Sequence, residues 1–348
     1  MILDDLQAPI VLAPMAGGPS TPALATAVSA AGGLGFLAAG YLPAATVAEQ
    51  IAAVRGSTAA PFGVNLFVPG ISTPPDRFAG YLTELGREFP LGEPRFDDDD
   101  WDAKLELLVA EPVAVVSFTF GCPDPAAVAR LRAAGTECWV TVTGAAEARQ
   151  AREAGADVLI AQGAEAGGHR ATFADRPADD VCDPLSTLAL VQLLTAAVPG
   201  TPIVAAGGLG TGAAVAGVLV AGAHGAQLGT AFLRCPEAGT SPMHRAALTT
   251  PTPTALTRAF SGRRARGLLN RFVAEHPDAP AAYPEIHYAT GPLRQRARAE
   301  GDPDAVNLWA GQVHELTAAE PAGELVRRLT AEADDALRLA ISRRIQGY

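Results

Sequence analysis

The residues best placed to do chemistry lie in one stretch, Ala161-Gln162-Gly163-Ala164-Glu165-Ala166-Gly167-Gly168-His169-Arg170. Imidazole, with an ordinary pKa of ~6.5, can take up and return a proton near neutrality. His169 follows two glycines, and backbone without Cβ atoms can come close to a flat or anionic ligand. The spacing therefore suggests proton transfer at a bound small molecule. The alternative is a histidine that closes a loop by hydrogen bonds; the adjoining glycines favour the first reading.

Two further glycine segments could hold such a ligand. Ala205-Ala206-Gly207-Gly208-Leu209-Gly210-Thr211 leads from an apolar run into a helical pattern, and Gln227-Leu228-Gly229-Thr230 ends another apolar run. Backbone N–H groups at such turns and at helix N-termini bind phosphate, and the Thr230 hydroxyl could donate to it. Asn65, late in Phe62-Gly63-Val64-Asn65-Leu66-Phe67, and Gln162 are lone amides in apolar surroundings. Each must find a partner, either in the core or on a bound ring with amide edges. Ala13-Pro14-Met15-Ala16-Gly17-Gly18 offers an apolar wall for a flat cofactor.

These segments must be positioned by strands and helices. Short apolar runs predict eight strands, at 10–13, 34–39, 62–67, 114–120, 138–143, 157–162, 203–206 and 225–228. Helical patterns at 21–31, 44–54, 125–134, 145–154, 185–197 and 212–221, and a weaker one at 242–248, fall among or just after them. Alternation of this kind fits an α/β fold, either a (β/α)8 TIM barrel or an open doubly wound sheet. No GxGxxG follows the first run, which favours the barrel. In a barrel, the chain leaves each strand at the face where ligands bind.

Two segments break the repeat. Residues 71–112 read as an insertion, and residues 235–319 as a helical stretch without strand pattern. Together they predict a smaller, mainly helical cap beside a barrel formed by 1–70 and 113–234, with 320–348 a closing helix carrying Leu325, Leu329, Ala333, Ala336 and Leu337. The run Asp97-Asp98-Asp99-Asp100 reads as a solvated loop or helix start, because consecutive carboxylates converge poorly on one ion. No substrate motif is legible in the cap. Tyr283 and Tyr288 lie there, as ligand contacts or as packing residues.

Composition removes several functional classes. A net charge of −11, with no basic stripe, argues against nucleic-acid binding. The single lysine, Lys104, follows the acidic run away from any strand end, so Schiff-base chemistry is set aside. Cys122, Cys138, Cys182 and Cys235 are scattered, which fits a reducing cytoplasm and neither a zinc site nor a disulfide framework. Cys122 reads as pocket-lining rather than reactive, and His224 as structural. No signal peptide or membrane span is legible.

Taken in order, Ala13 to Gly18, Gly32-Gly33-Leu34-Gly35, Gly63-Val64-Asn65, Gln162 to Arg170, Ala206-Gly207-Gly208, Gln227 to Thr230, Arg258-Ala259-Phe260-Ser261-Gly262-Arg263 and Leu308-Trp309-Ala310-Gly311 resemble the nitronate monooxygenase (2-nitropropane dioxygenase) family over nearly the whole chain. The resemblance implies an FMN-dependent barrel enzyme that oxidises alkyl nitronates or nitroalkanes with O2 to a carbonyl compound and nitrite. It implies His169 as catalytic base and FMN bound by Met15, Asn65, Gln162, Gly167, Gly207, Gly208, Gln227, Leu228, Gly229 and Thr230. One departure is Ala171, where relatives often carry glycine. A monomer or homodimer without metal, nucleic-acid or membrane partners is expected. Two readings stay open beside it: an NAD(P)H-dependent reductase of quinones or enoyl thioesters on the same scaffold, and a non-catalytic flavin-binding protein.

Overall fold

The computed structural model describes residues 1–176 and 183–346, so Cys182 lies outside the described residues. Strands β1 (Ile10–Leu12), β2 (Gly35–Ala38), β3 (Phe62–Phe67), β4 (Val115–Thr119), β5 (Glu137–Val142) and β6 (Val158–Gln162) share one sheet with β8 (Ile203–Ala206) and β9 (Gly225–Leu228). All neighbours are parallel, and β1 pairs with β9 at the far side of the series. A parallel bridge between Val11 and Leu34 joins the two ends. An open doubly wound sheet would leave both edges unpaired; this is a (β/α)8 barrel.

The period of two along a strand divides its side chains between barrel interior and helix layer. Val11, Phe36, Val115, Trp139, Val158, Ile160 and Val204 fill the interior, and Ile2 and Leu3 of the first helix, Ile2–Asp5, pack against them together with Leu6 just after it. Val64, Leu66, Val116, Phe118, Val140, Leu159 and Ile203 alternate with them and meet the surrounding helices. Toward the carboxyl ends of the strands, the same inward phase carries Asn65, Ser117, Thr119, Thr141, Gln162 and Gln227. The barrel is thus apolar at its base and polar at its mouth.

The C-terminal helix, Ala322–Gln346, packs against Gly212–Val220 and Pro22–Ala30 and completes the outer ring. Its approach explains Gly212: a Cβ there would lie 2.5 Å from the Leu329 carbonyl oxygen and 2.3 Å from Glu332 Cβ. Glu332 in turn accepts a hydrogen bond from the Gly212 N–H at 3.0 Å.

In the insertion after β3, Ala79–Leu85 packs with Ala259, Phe260, Phe272, Val273 and Leu293. Trp101–Ala110 lies instead in the barrel's own ring, with Leu105 and Leu108 in the main core. The region 235–319 contains strands where only helix was expected. β10 (Thr254–Thr257) and β11 (Ala265–Leu268) are antiparallel, and β11 also pairs with β7 (Gly168–His169). These strands are short, and their ladder is completed by a segment nearly a hundred residues away, so no local pattern announces them.

The acidic run does start a helix, but its carboxylates are not simply solvated. Asp99 Oδ1 accepts from the Tyr41 N–H at 2.7 Å, and Asp100 Oδ2 from the Ala44 N–H at 2.8 Å, at the first turn of Ala44–Ser57. Lys104 Nζ lies 2.8 Å from Asp99 Oδ2. No cluster suited to a metal ion occurs among the described residues, nor any helix long and apolar enough to cross a membrane.

Candidate active site

His169 sits where β6 has left the barrel and the chain has crossed to pair with β11, Ala265 opposite His169. Gln162, the last residue of β6, fixes that excursion. Its Nε2 donates to the His169 carbonyl at 3.0 Å, and its Oε1 accepts from the Ala171 N–H at 2.9 Å. Both ends of this amide therefore hold the His169 loop.

The imidazole is walled by aromatic rings from three distant segments. Its centroid lies 5.7 Å from Phe120, 5.7 Å from Tyr283 and 5.5 Å from Trp309. Nε2 is 2.9 Å from Ser261 Oγ, which is also 3.1 Å from the Arg263 carbonyl. A carbonyl can only accept, so the Ser261 proton goes to Arg263 and the Ser261 oxygen accepts from Nε2–H. That tautomer leaves the Nδ1 lone pair able to accept a proton. Burial pushes the His169 pKa down to about 3, and Arg263 and Arg294 add to the effect. The ring is neutral at physiological pH.

Further contacts extend outward from these rings. Tyr283 donates its hydroxyl to that of Tyr41 at 3.0 Å, and Tyr41 stacks on His287 with centroids 4.2 Å apart. Arg263 lies over the Phe120 face at 4.2 Å. Tyr288 meets this group only at its edge, T-shaped against His287 at 5.3 Å, and Arg95 covers its ring at 4.1 Å. Sequence reasoning gave no role to Ser261, Phe120, Arg263, Tyr41 or His287. Only the block containing Ser261 and Arg263 carried any signal, through resemblance.

The remaining expected residues distribute around the mouth. Asn65 Nδ2 donates to Ser117 Oγ at 3.0 Å and Thr119 Oγ1 at 2.9 Å, so neighbouring strands satisfy its donor. Gln227 is buried and its Nε2 has no acceptor among the described residues. Gly207 and Gly208, with φ of +115° and +68°, turn the chain out of β8 in a conformation costly to other residues. Thr230 Oγ1 accepts from the Gly311 N–H at 2.9 Å. Met15 is half-buried beside the β9 turn, where its Sδ would be 3.5 Å from a Cβ on Gly229. Gly167 has a packing reason for lacking Cβ, since Gly311 N would be 2.5 Å away. The Leu228 side chain belongs to the helix-facing core, which leaves only its backbone for a ligand.

Other sequence candidates fall outside the site. The Cys122 thiol is directed at the Gln150 carbonyl, 3.7 Å away, and burial raises its pKa, which makes it a poor nucleophile. His224 Nδ1 accepts from the Ile203 N–H at 3.3 Å, at the opposite end of the barrel. Glu165 accepts from the Thr187 N–H and hydroxyl, capping the helix Thr187–Ala197.

The nitronate monooxygenase family model matches residues 2–332. A nitronate monooxygenase of Pseudomonas aeruginosa is 43% identical over 345 residues, covering 94% of this chain and 96% of the relative. The structure of a nitroalkane oxidase from Streptomyces ansochromogenes superposes with a TM-score of 0.94 at 49% identity, covering 98% of this chain and 99% of that one. FabK from Thermotoga maritima superposes with a TM-score of 0.75 at 26% identity, covering 98% and 97%. A polar-mouthed barrel, a neutral histidine held by a serine, and these whole-length matches agree: the chain belongs to the nitronate monooxygenase family.

Proposed function

We propose that the protein catalyses FMN-dependent oxidation of alkyl nitronates, and of the nitroalkanes that yield them, with O2 to a carbonyl compound and nitrite. The observation that carries this reading is His169, with its Nε2–H tied to Ser261 and its other nitrogen left as a base inside an aromatic box.

The mouth is chemically suited to a flavin. A buried donor without an acceptor costs about 1–3 kcal/mol, and the carbonyl edge of an isoalloxazine would supply one to Gln227. Asn65 and Gln162 are the other amides facing that region. Gly207, Gly208, Gly229 and Thr230 would take the phosphate through their backbone and the Thr230 hydroxyl, with Met15 beside the ring and Gly167 and Leu228 contributing main chain only. FMN would supply the one-electron chemistry linking nitronate to O2.

The chain's own residues handle protons and charge. For a neutral nitroalkane, His169 Nδ1 takes the α-proton, while Ser261 holds the ring orientation. The positive charges that disfavour imidazolium at His169 favour the nitronate anion formed in the same step. A substrate supplied as nitronate needs no such transfer. The aromatic walls keep water from the reacting pair.

The test begins with the purified protein, which should be yellow and release FMN on denaturation. It should consume O2 with ethyl nitronate and keep its oxidised spectrum when NADH is added anaerobically. Rapid bleaching by NADH would instead assign a reductase of quinones or enoyl thioesters. Flavin binding with neither activity would assign a non-catalytic flavin protein.

A further inference from the structure

The segment Leu308-Trp309-Ala310-Gly311-Gln312 touches both the imidazole and a turn proposed to take phosphate. It begins as an extra strand on β11. The Leu268 N–H donates to the Leu308 carbonyl at 2.9 Å, the Ala310 N–H donates to the Arg266 carbonyl at 3.3 Å, and Gly267 bridges Trp309. The adjoining residues of β11, Ala265 and Arg266, pair with His169 and Gly168. One short strand therefore carries His169 opposite Ala265 and Trp309 opposite Gly267, and the two rings meet at 5.5 Å.

The chain then leaves β11 and closes on the barrel mouth. The Gly311 N–H donates to Thr230 Oγ1 at 2.9 Å, and the Gln312 N–H donates to the Glu165 carbonyl at 3.0 Å. The fit leaves no room for a side chain at Gly311. A Cβ there would lie 2.9 Å from the Glu165 carbonyl oxygen and 3.2 Å from the Gly167 nitrogen. The turns after β6 and β9 are thus held together by a segment of the cap.

Thr230 decides what this contact can transmit. Its hydroxyl oxygen accepts from Gly311, and its own proton has no acceptor among the described residues. A hydroxyl oriented in this way is ready to donate to an anion. Hydrogen bonds in a chain polarise one another, so an anion that takes the Thr230 proton strengthens the bond from Gly311.

We propose that Trp309 is a positioning residue for His169, and that the phosphate end of the bound flavin sets it through Thr230 and Gly311. With the Thr230 proton engaged, residues 309–312 are anchored at both ends and the indole closes the box around the imidazole. Without it, the segment keeps its β11 pairing and loosens at its far anchor. Binding at a remote, non-reacting group is thereby used to orient the base. This rests on the flavin reading above, but its first readout is not turnover.

Hydrogen exchange followed by mass spectrometry compares the protein loaded with FMN and with riboflavin, which has the same ring system and no phosphate. Peptides covering 309–313 should exchange about tenfold faster with riboflavin. Thr230→Val should show that faster rate even at saturating FMN and should bind FMN about tenfold more weakly, the scale of one hydrogen bond to a charged group. Thr230→Ser, which keeps the hydroxyl, should restore both. At saturating FMN, Thr230→Val should lower kcat for nitroethane about tenfold, with far less effect on ethyl nitronate, because only the neutral substrate needs the base. Trp309→Phe should reproduce that split without weakening FMN. The comparison of the two flavins on the unaltered chain decides the matter even if a variant fails to fold.

Equal exchange with both flavins, or parallel losses on both substrates, would overturn the proposal. FMN bound with 309–313 indifferent to phosphate would remove this inference and leave the flavin reading intact. A protein that takes up neither flavin would remove both. Phosphate-dependent exchange without nitronate turnover would sink the oxygenase reading and leave the link from Thr230 to Trp309 standing.

Discussion

His169 Nε2 and Ser261 Oγ lie 2.9 Å apart although 92 residues separate them in the chain. Because Ser261 spends its proton on the Arg263 carbonyl, it acts on His169 as an acceptor and selects the tautomer. Ser261→Ala should therefore lower kcat/KM for nitroethane about tenfold, the scale of one orienting hydrogen bond, while ethyl nitronate turnover changes far less. Equal losses on both substrates would mean that the serine supports the loop rather than the base.

His169→Asn removes the proposed base. Turnover of neutral nitroethane should fall by about 10²–10⁴-fold, with nitronate turnover largely retained. Oxygen consumption on freshly prepared nitroalkane and on pre-ionised nitronate measures the two separately. A matching collapse on both would refute the assigned role.

Acid should destabilise the fold through its buried histidines. His169 is held down to about 3 and His244 to about 4, and His287 lies well below its ordinary value, chiefly through burial. Unfolded histidine titrates near ~6.5, so below that pH the unfolded chain binds more protons than the native one. Stability is then fully present above ~6.5 and declines as pH falls toward about 3. Melting temperatures measured stepwise from neutral to acid pH should show this loss. His287→Phe, which keeps a ring against Tyr41, should flatten the decline; an unchanged slope would count against the assignment.

The Asp99–Lys104 pair should matter far more than a surface ion pair. Lys104 is 1% exposed at its side chain and Asp99 13%. Removing one partner leaves a buried charge, at a cost of about 3–5 kcal/mol. Lys104→Met alone should lower denaturation midpoints strongly, and adding Asp99→Asn should restore part of the loss. The same variant should loosen Tyr41, whose N–H binds Asp99, and with it the hydroxyl contact to Tyr283.

The barrel was legible because parallel strands buried on both faces leave continuous apolar runs, such as Ile10 to Leu12 and Val158 to Ala161. Asn65, Gln162 and Gln227 were visible for the converse reason, as amides interrupting those runs. Their partners were not. That Gln162 holds the His169 loop, or that Ser117 and Thr119 satisfy Asn65, depends on register between strands. The aromatic box was harder still: Phe120, His169, Tyr283 and Trp309 meet only once four segments have packed. Gly167 shows that a glycine read as ligand-facing can also have a packing cause, since Ala310 and Gly311 fill the space its missing Cβ leaves.

The buried clasp at Lys104 has a practical corollary. The sequence has no other lysine, so folded protein presents no side-chain amine to acylating reagents. Reaction there requires the Asp99 loop to open first. The rate at which this lone amine is labelled, followed by mass spectrometry, becomes a clock for breathing at the pocket's rim.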